Sequence, residues 1–155
     1  MRDHHEMARR LTYALYNADE IFYLLAKKNG QNYTEIGLMY VLDHETPLSQ
    51  KDLAEQLCFP ATTVNTIIKN WEKEGMVVQV PVEGKRREKH ILLTDKGKQS
   101  AKELLDLIYQ AEEDAMKKTL ERYSVEFIDA LEYYGNCLSE NFRENQEQEY
   151  ENTHQ

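Results

Sequence analysis

Ala8, Leu11, Leu15, Ala18, Phe22 and Leu25 recur at alternating spacings of three and four residues. That rhythm sets them on one stripe of a helix. No glycine or proline interrupts the segment before Gly30. Lys27-Lys28 followed by Gly30 predicts its end, because cations suit a last turn and glycine suits a left-handed cap. Thr34 is expected to cap a second helix running to about His44. Ile36, Leu38, Met39, Val41 and Leu42 make that helix apolar on most sides, which predicts burial. Pro47 breaks the chain. Ser49-Gln50-Lys51-Asp52 opens a third helix with a start like a capping box, Asp standing at the fourth place. Leu53, Ala54 and Leu57 form its inner face. Pro60 fits the first position of a fourth helix, where its missing N–H costs nothing. Val64, Ile67, Ile68 and Trp71 mark the inner face of that helix, and Gly75 closes it.

The rhythm then changes. Met76 to Val82 is rich in β-branched residues and predicts a strand, with Pro81 at its end or on a sheet edge. Glu83-Gly84 starts a turn, and His90 to Leu93 reads as the returning strand. Thr94 caps a fifth helix with Ala101, Leu104, Ile108, Ala111 and Ala115 on one stripe. A sixth follows Ser124, with Ile128, Leu131, Leu138 and Phe142 aligned. From Glu144 onward the chain is almost without apolar residues and is expected to fray or be disordered.

Two short helices separated by a tight break make a helix-turn-helix. A strand, a basic turn and a second strand directly after it make a winged helix. The predicted fold is mainly α with a small β-wing, flanked by long N- and C-terminal helices. The pattern also points to chemistry. A helix that enters a major groove needs one packed face and one face of small hydrogen-bonding groups. The fourth helix leaves Ala61, Thr62, Thr63, Asn65, Thr66 and Lys69 for that role. Thr62, Thr63, Asn65 and Thr66 are expected to read bases, and Ser49, Gln50 and Lys69 to contact the DNA backbone. Lys85, Arg86, Arg87 and Lys89 sit in the wing turn, where basic side chains suit a narrow minor groove.

Charge sharpens this reading. The 155 residues carry a net charge of −9, which alone argues against nucleic acid. The distribution removes the objection. Residues 98–155 hold 6 basic and 14 acidic side chains, whereas residues 48–97 hold 8 and 7. A basic centre with an acidic end remains compatible with DNA. No run of 18 apolar residues exists, so no membrane span is expected. There is no glycine-rich phosphate loop, nucleophile elbow or metal-ligand spacing, so neither an enzyme nor a metal or cofactor site is expected. Cys58 and Cys137 cannot form a disulfide framework, and a reducing, cytoplasmic setting is the default. Both are expected to be buried small hydrophobes. The first and last helices, about 18 to 25 residues or roughly 27–38 Å long, exceed what a small compact domain needs. They read better as an interface between two copies, with Leu11, Leu15, Leu131 and Leu138 as contacts.

The runs Leu48 to Ala54, Thr63-Val64-Asn65, Glu72 to Val77, Arg87 and Leu93-Thr94-Asp95-Lys96-Gly97 resemble the MarR family of bacterial transcriptional regulators. Lys85 stands where that family usually has Asp, and Trp71 where it usually has Leu. The resemblance implies a homodimer on a double-stranded, pseudo-palindromic DNA operator. It also implies release by a small molecule, often an anionic aromatic, or by cysteine oxidation or metal. The organisation expected is a dimerisation helix over 1–33, the winged helix-turn-helix over 34–97, dimerisation helices over 98–147 and a disordered tail over 148–155. Tyr13, Tyr16, Tyr23, Tyr33 and Tyr40 are candidates for the interface or for an effector pocket. The alternatives are a redox-controlled regulator of the same fold and a winged helix used for protein contact without DNA.

Overall fold

A computed structural model describes residues 3–44, 46–85 and 88–153, with side chains up to residue 146. Along the described residues run α1 (His4–Asn29), α2 (Tyr33–Asp43), β1 (Leu48–Ser49), α3 (Gln50–Gln56) and α4 (Ala61–Lys73). These are followed by β2 (Val77–Pro81), β3 (Lys89–Leu93), α5 (Asp95–Leu120) and α6 (Glu126–Thr153). The architecture is a winged helix-turn-helix with long helices before and after it.

The ends of the helices follow local chemistry. Gly30 closes α1 at φ 66°, its N–H on the Ala26 carbonyl. Asn32, not Thr34, caps α2. Its side-chain oxygen takes the Glu35 N–H at 2.9 Å, and the Glu35 carboxylate takes the Asn32 N–H at 3.2 Å. An asparagine amide caps as well as a hydroxyl, and here it lies two residues earlier. Ser49 caps α3 in the expected reciprocal box with Asp52. Pro60 occupies the cap position of α4 rather than its first turn, and no side chain caps that helix.

The sheet is antiparallel in the order β1-β3-β2. Val77 pairs with Leu93 and Pro81 with Lys89, so Pro81 ends an edge strand. β1 was not expected. It pairs Leu48 with Ile91 and Ser49 with His90.

Two compact units divide the chain, Met1–Tyr109 and Gln110–Gln155. The first has a dense core. Ile36, Leu38 and Met39 of α2, Leu53, Val64, Ile68, Val77, Ile91, Ala101 and Leu105 are each at most 1% exposed. Burying one such aliphatic side chain stabilises by about 1.5–3 kcal/mol. On α5 the buried stripe is Gly97, Ala101, Leu105 and Ile108, with Leu104 half-buried beside it.

A knot at the root of the wing joins β2 to α5. The Thr94 hydroxyl donates to the Gly75 carbonyl at 2.7 Å, and the Thr94 N–H donates to the Met76 carbonyl at 2.9 Å. The same hydroxyl accepts the Gly97 N–H at 3.1 Å, capping α5. The Lys96 ammonium reaches the Glu74 carbonyl at 2.6 Å. A Cβ on Gly97 would collide with the Met76 carbonyl. Thr-x-x-Gly is therefore the pattern this junction requires.

The second unit holds the end of α5 and all of α6. Tyr123, Val125, Tyr133, Leu138 and Phe142 are exposed there, and Leu131 is half-buried. Of the stretch expected to be a disordered tail, residues 148–153 lie on α6, which runs to Thr153, and residues 154–155 lie outside the described residues. The stretch has no proline, and its Glu and Gln residues lose little on entering a helix.

Candidate nucleic-acid interface

The turn between α3 and α4 is set by three backbone bonds. Leu57 donates to Leu53, Cys58 to Glu55 and Phe59 to Ala54, at 3.2, 3.3 and 3.0 Å. This closure holds Cys58 at φ 53°, a left-handed conformation that side chains other than glycine adopt at a cost. It also turns Cys58 outward. The cysteine expected to be buried is exposed, and Phe59 packs against the core instead. Cys137, likewise expected to be buried, is only half-buried.

From this turn α4 presents two faces. Val64, Ile67, Ile68 and Trp71 are buried, as their spacing predicted. Ala61, Thr62, Thr66 and Lys69 are exposed, whereas Thr63 and Asn65 are half-buried. The Thr66 hydroxyl donates to the Thr62 carbonyl at 2.9 Å. Its proton is thus committed to the helix, and toward an incoming partner it offers lone pairs only.

Between α3 and the wing lies a basic cleft of about 630 Å³ lined by Ser49, Gln50, Lys51, Gln79, Lys85, Glu88 and Lys89. A second hollow, about 480 Å³, is lined by Gln50, Lys51, Ala54, Glu55, Phe59, Ala61 and Asn65. Gln50 and Lys51 border both. Sequence reasoning named Gln50 but missed Lys51 and Gln79. A sign of Lys51 was present, since a cation in the first turn of a helix opposes the macrodipole. Its exposed pair with Glu55, at 3.6 Å, contributes little.

Ser49 differs from its expected role. It is only 9% exposed. Its hydroxyl donates to Asp52 Oδ2 at 2.7 Å and accepts the Asp52 N–H at 3.2 Å. The donor wanted for a phosphate is spent on the cap. The hydrogen bonds from Ser49 hold the Asp52 carboxyl below the usual carboxylate range. On the wing, Lys85 Nζ meets Glu88 Oε1 at 2.8 Å, which raises the Lys85 ammonium above its ordinary value. Lys89 is exposed. Arg86 and Arg87 lie outside the described residues.

Away from this face, an aromatic cluster joins three helices. The Tyr40 ring meets Phe22, His44 and Tyr109 at centroid distances of 5.1, 5.2 and 5.7 Å. The Tyr109 hydroxyl donates to Asp43 at 2.7 Å. Nearby, Leu42, Asp43, Pro47, Leu92, Leu93 and Lys98 line a hollow of about 330 Å³. Tyr33 stands apart from this cluster. Its hydroxyl donates to Asp19 at 2.7 Å, and its ring meets Phe59 edge-on at 6.0 Å. Burial, reinforced by Asp19, pushes the Tyr33 phenol up to about 12. Tyr13, Tyr16 and Tyr23 are exposed. Of the expected interface leucines, Leu15 and Leu138 are exposed, and Leu11 and Leu131 are half-buried.

Residues 30–88, from the cap of α1 to the residue before β3, match a family model described as MarR family. Over that segment the chain is similar to the MarR family. Among similar proteins, the HTH-type transcriptional regulator MgrA of Staphylococcus aureus is 28% identical over 113 residues. That alignment spans 67% of this chain and 74% of MgrA. A MarR-family regulator from Listeria monocytogenes, solved in complex with a 26mer DNA, superimposes with a TM-score of 0.60 at 23% identity. It covers 94% of this chain and 92% of its own. NadR, solved in complex with 4-hydroxyphenylacetate, gives 0.62 at 20% identity, over 89% of this chain and 95% of its own. The likeness to the two structures is one of fold. MgrA and the Listeria protein are both described as transcriptional regulators.

Proposed function

We propose that the protein binds a pseudo-palindromic DNA operator as a homodimer, represses the genes there and is released by a small aromatic or anionic effector. The observation that carries the reading is the outer face of α4, exposed at Ala61, Thr62, Thr66 and Lys69, together with a basic cleft that shares Gln50 and Lys51 with the hollow at the start of α4. A helix offering small polar groups enters a major groove with its first turns against base edges. Thr62, Asn65 and Thr66 read bases. Thr66 acts as an acceptor, which favours an amino donor such as cytosine N4 or adenine N6. Gln50, Lys51 and Lys69 hold the phosphates, and the wing with Lys85, Arg86, Arg87 and Lys89 reaches for the adjoining minor groove. The Listeria regulator with DNA supports the partner.

The dimer is supported by the apolar side chains that α1 and α6 leave exposed, Leu15, Leu138 and Phe142 among them. The effector is supported by the Phe22, Tyr40, His44 and Tyr109 rings, which suit stacking on an aromatic ligand, and by Lys98 at the neighbouring hollow, which suits an anion. NadR bound to an aromatic carboxylate points the same way. Such a ligand acts by binding one arrangement of the two recognition helices better than the other. A coupling of about 1–3 kcal/mol weakens DNA binding roughly 5- to 150-fold.

Selection from a randomised duplex pool tests the reading. The expected product is two inverted half-sites about one helical turn apart. With about 6–8 phosphate contacts per dimer, log K against log salt is expected to slope at roughly −5 to −7. Unselected binding with no salt dependence overturns it and favours a protein-contact module.

One observation favours a second reading. Cys58 is exposed in the turn that leads into α4, a place where oxidation would disturb DNA binding. Loss of DNA binding under peroxide, rescued in a Cys58→Ser, Cys137→Ser double variant, would make this a redox-controlled regulator.

A further inference from the structure

We infer that Asp19, Tyr33 and Phe59 form a positioning relay that fixes α4 relative to α1, and so sets which separation of DNA half-sites the protein accepts. The inference rests on the homodimer and operator just proposed. Each link is a directional contact between different elements. Asp19 lies on α1 and accepts the Tyr33 hydroxyl at 2.7 Å. Tyr33 is the first residue of α2, and its ring stands at 78° to the Phe59 ring with centroids 6.0 Å apart. Phe59 ends the turn, directly before Pro60 and Ala61 at the start of α4.

Gly37 on α2 makes room for the last link. A Cβ there would lie 3.3 Å from the Phe59 ring, tighter than most side-chain contacts allow. Phe59 is thus seated against α2 at one end of the recognition helix. The two ends of that helix are held differently. Its C-terminal end is tied through Glu74, Gly75 and Met76 to Thr94 and Lys96. Its N-terminal end has no side-chain cap, and the ring of Phe59 is what seats it.

Stability is a poor explanation for the Asp19–Tyr33 bond. It is exposed, and an exposed polar contact adds little to folding. What it does fix is direction, since a hydrogen bond of this length tolerates little displacement. In a two-fold dimer held by α1, moving α4 against α1 changes the distance between the two recognition helices. Half-site spacing therefore reports on the relay.

The test uses the full chain and the duplex obtained by selection with the wild type, remade with the half-sites moved closer or farther by one and two base pairs. The variants are Tyr33→Phe, Asp19→Ala, the double variant and Phe59→Leu. Wild type is expected to prefer one spacing. Tyr33→Phe and Asp19→Ala are expected to cut that preference by about fivefold each, with the double variant no worse than either. Affinity for an isolated half-site and the thermal midpoint should stay near wild type in both single variants. Phe59→Leu should broaden the spacing in the same way. Should it fail to fold, Tyr33→Phe decides alone, because it removes one hydroxyl and leaves the ring in place. A wild-type spacing preference that Tyr33→Phe and Asp19→Ala both retain overturns the relay. So does an equal loss of affinity at every spacing, which marks a structural role. A wild type without any spacing preference overturns the dimer reading and the relay with it.

Discussion

The winged helix and α6 use the same kind of apolar stripe to opposite ends. In α4, Val64, Ile67, Ile68 and Trp71 recur at helical spacing and all disappear into the core. In α6, Leu131, Leu138 and Phe142 recur in the same way, yet Leu138 is 57% and Phe142 62% exposed. Periodicity says that a face is apolar; it does not say whose surface covers it. The winged helix is satisfied by its own chain. The stripe on α6 is an unspent hydrophobic surface, of the kind that marks an interaction site.

The sharpest break of this contrast is on the winged-helix side. Ile68→Ala empties a fully buried position and is expected to cost about 2–5 kcal/mol in urea unfolding. Gly97→Ala comes next. It drives a methyl into the Met76 carbonyl at the wing root, and such overpacking is expected to cost about 1–3 kcal/mol, read as a lower urea midpoint. On the other side, Leu138→Asp should leave the protomer folded by circular dichroism. It should weaken self-association by about 2 kcal/mol, seen as a lower mass in sedimentation equilibrium. Unchanged self-association would assign that stripe to another partner.

The smallest effect sharpens the contrast. Ser49→Ala removes the cap of α3 and is expected to cost about 1 kcal/mol. It also predicts a pH signature. Asp52 has its folded pKa depressed, so its contribution is present above the ordinary carboxylate range and is lost as pH falls through the folded value. Wild type should lose stability in acid more steeply than Ser49→Ala, in thermal melts from neutral pH to below pH ~4.

Much of this was legible along the chain. Gly30, Ser49 and Thr94 mark helix ends because capping is local chemistry, complete within a few residues. The exposed and buried faces of α4 follow from spacing alone. What was missed depends on contacts distant in sequence or on a choice between near equals. β1 is two residues long and exists only through Ile91 and His90 on a strand some forty residues later. Leu104 and Leu105 both fit the spacing between Ala101 and Ile108, and the packing of α5 selects Leu105. Cys58 and Phe59 exchange their expected places because three backbone bonds set the turn, which no apolar pattern encodes. The capping role of Ser49 is legible in its spacing to Asp52, whereas the commitment of its hydroxyl proton to Asp52 shows only in the structure. Lys51 and Gln79 enter the cleft because the sheet folds the wing back toward α3.

The knot at the wing root makes the recognition helix a lever with a pivot at one end. The 13 residues of α4 give an arm of about 20 Å from Glu74 back to Ala61. A swing of about 5° about that pivot carries the first turn roughly 1.7 Å sideways while leaving the last turn in place. Base-edge hydrogen bonds tolerate only a few tenths of an ångström. On the proposed DNA reading, such a swing, which needs the Phe59 end to give and breaks no contact at the pivot, is enough to take Thr62 out of register with a base. In the proposed release from DNA, the wing root itself need not move.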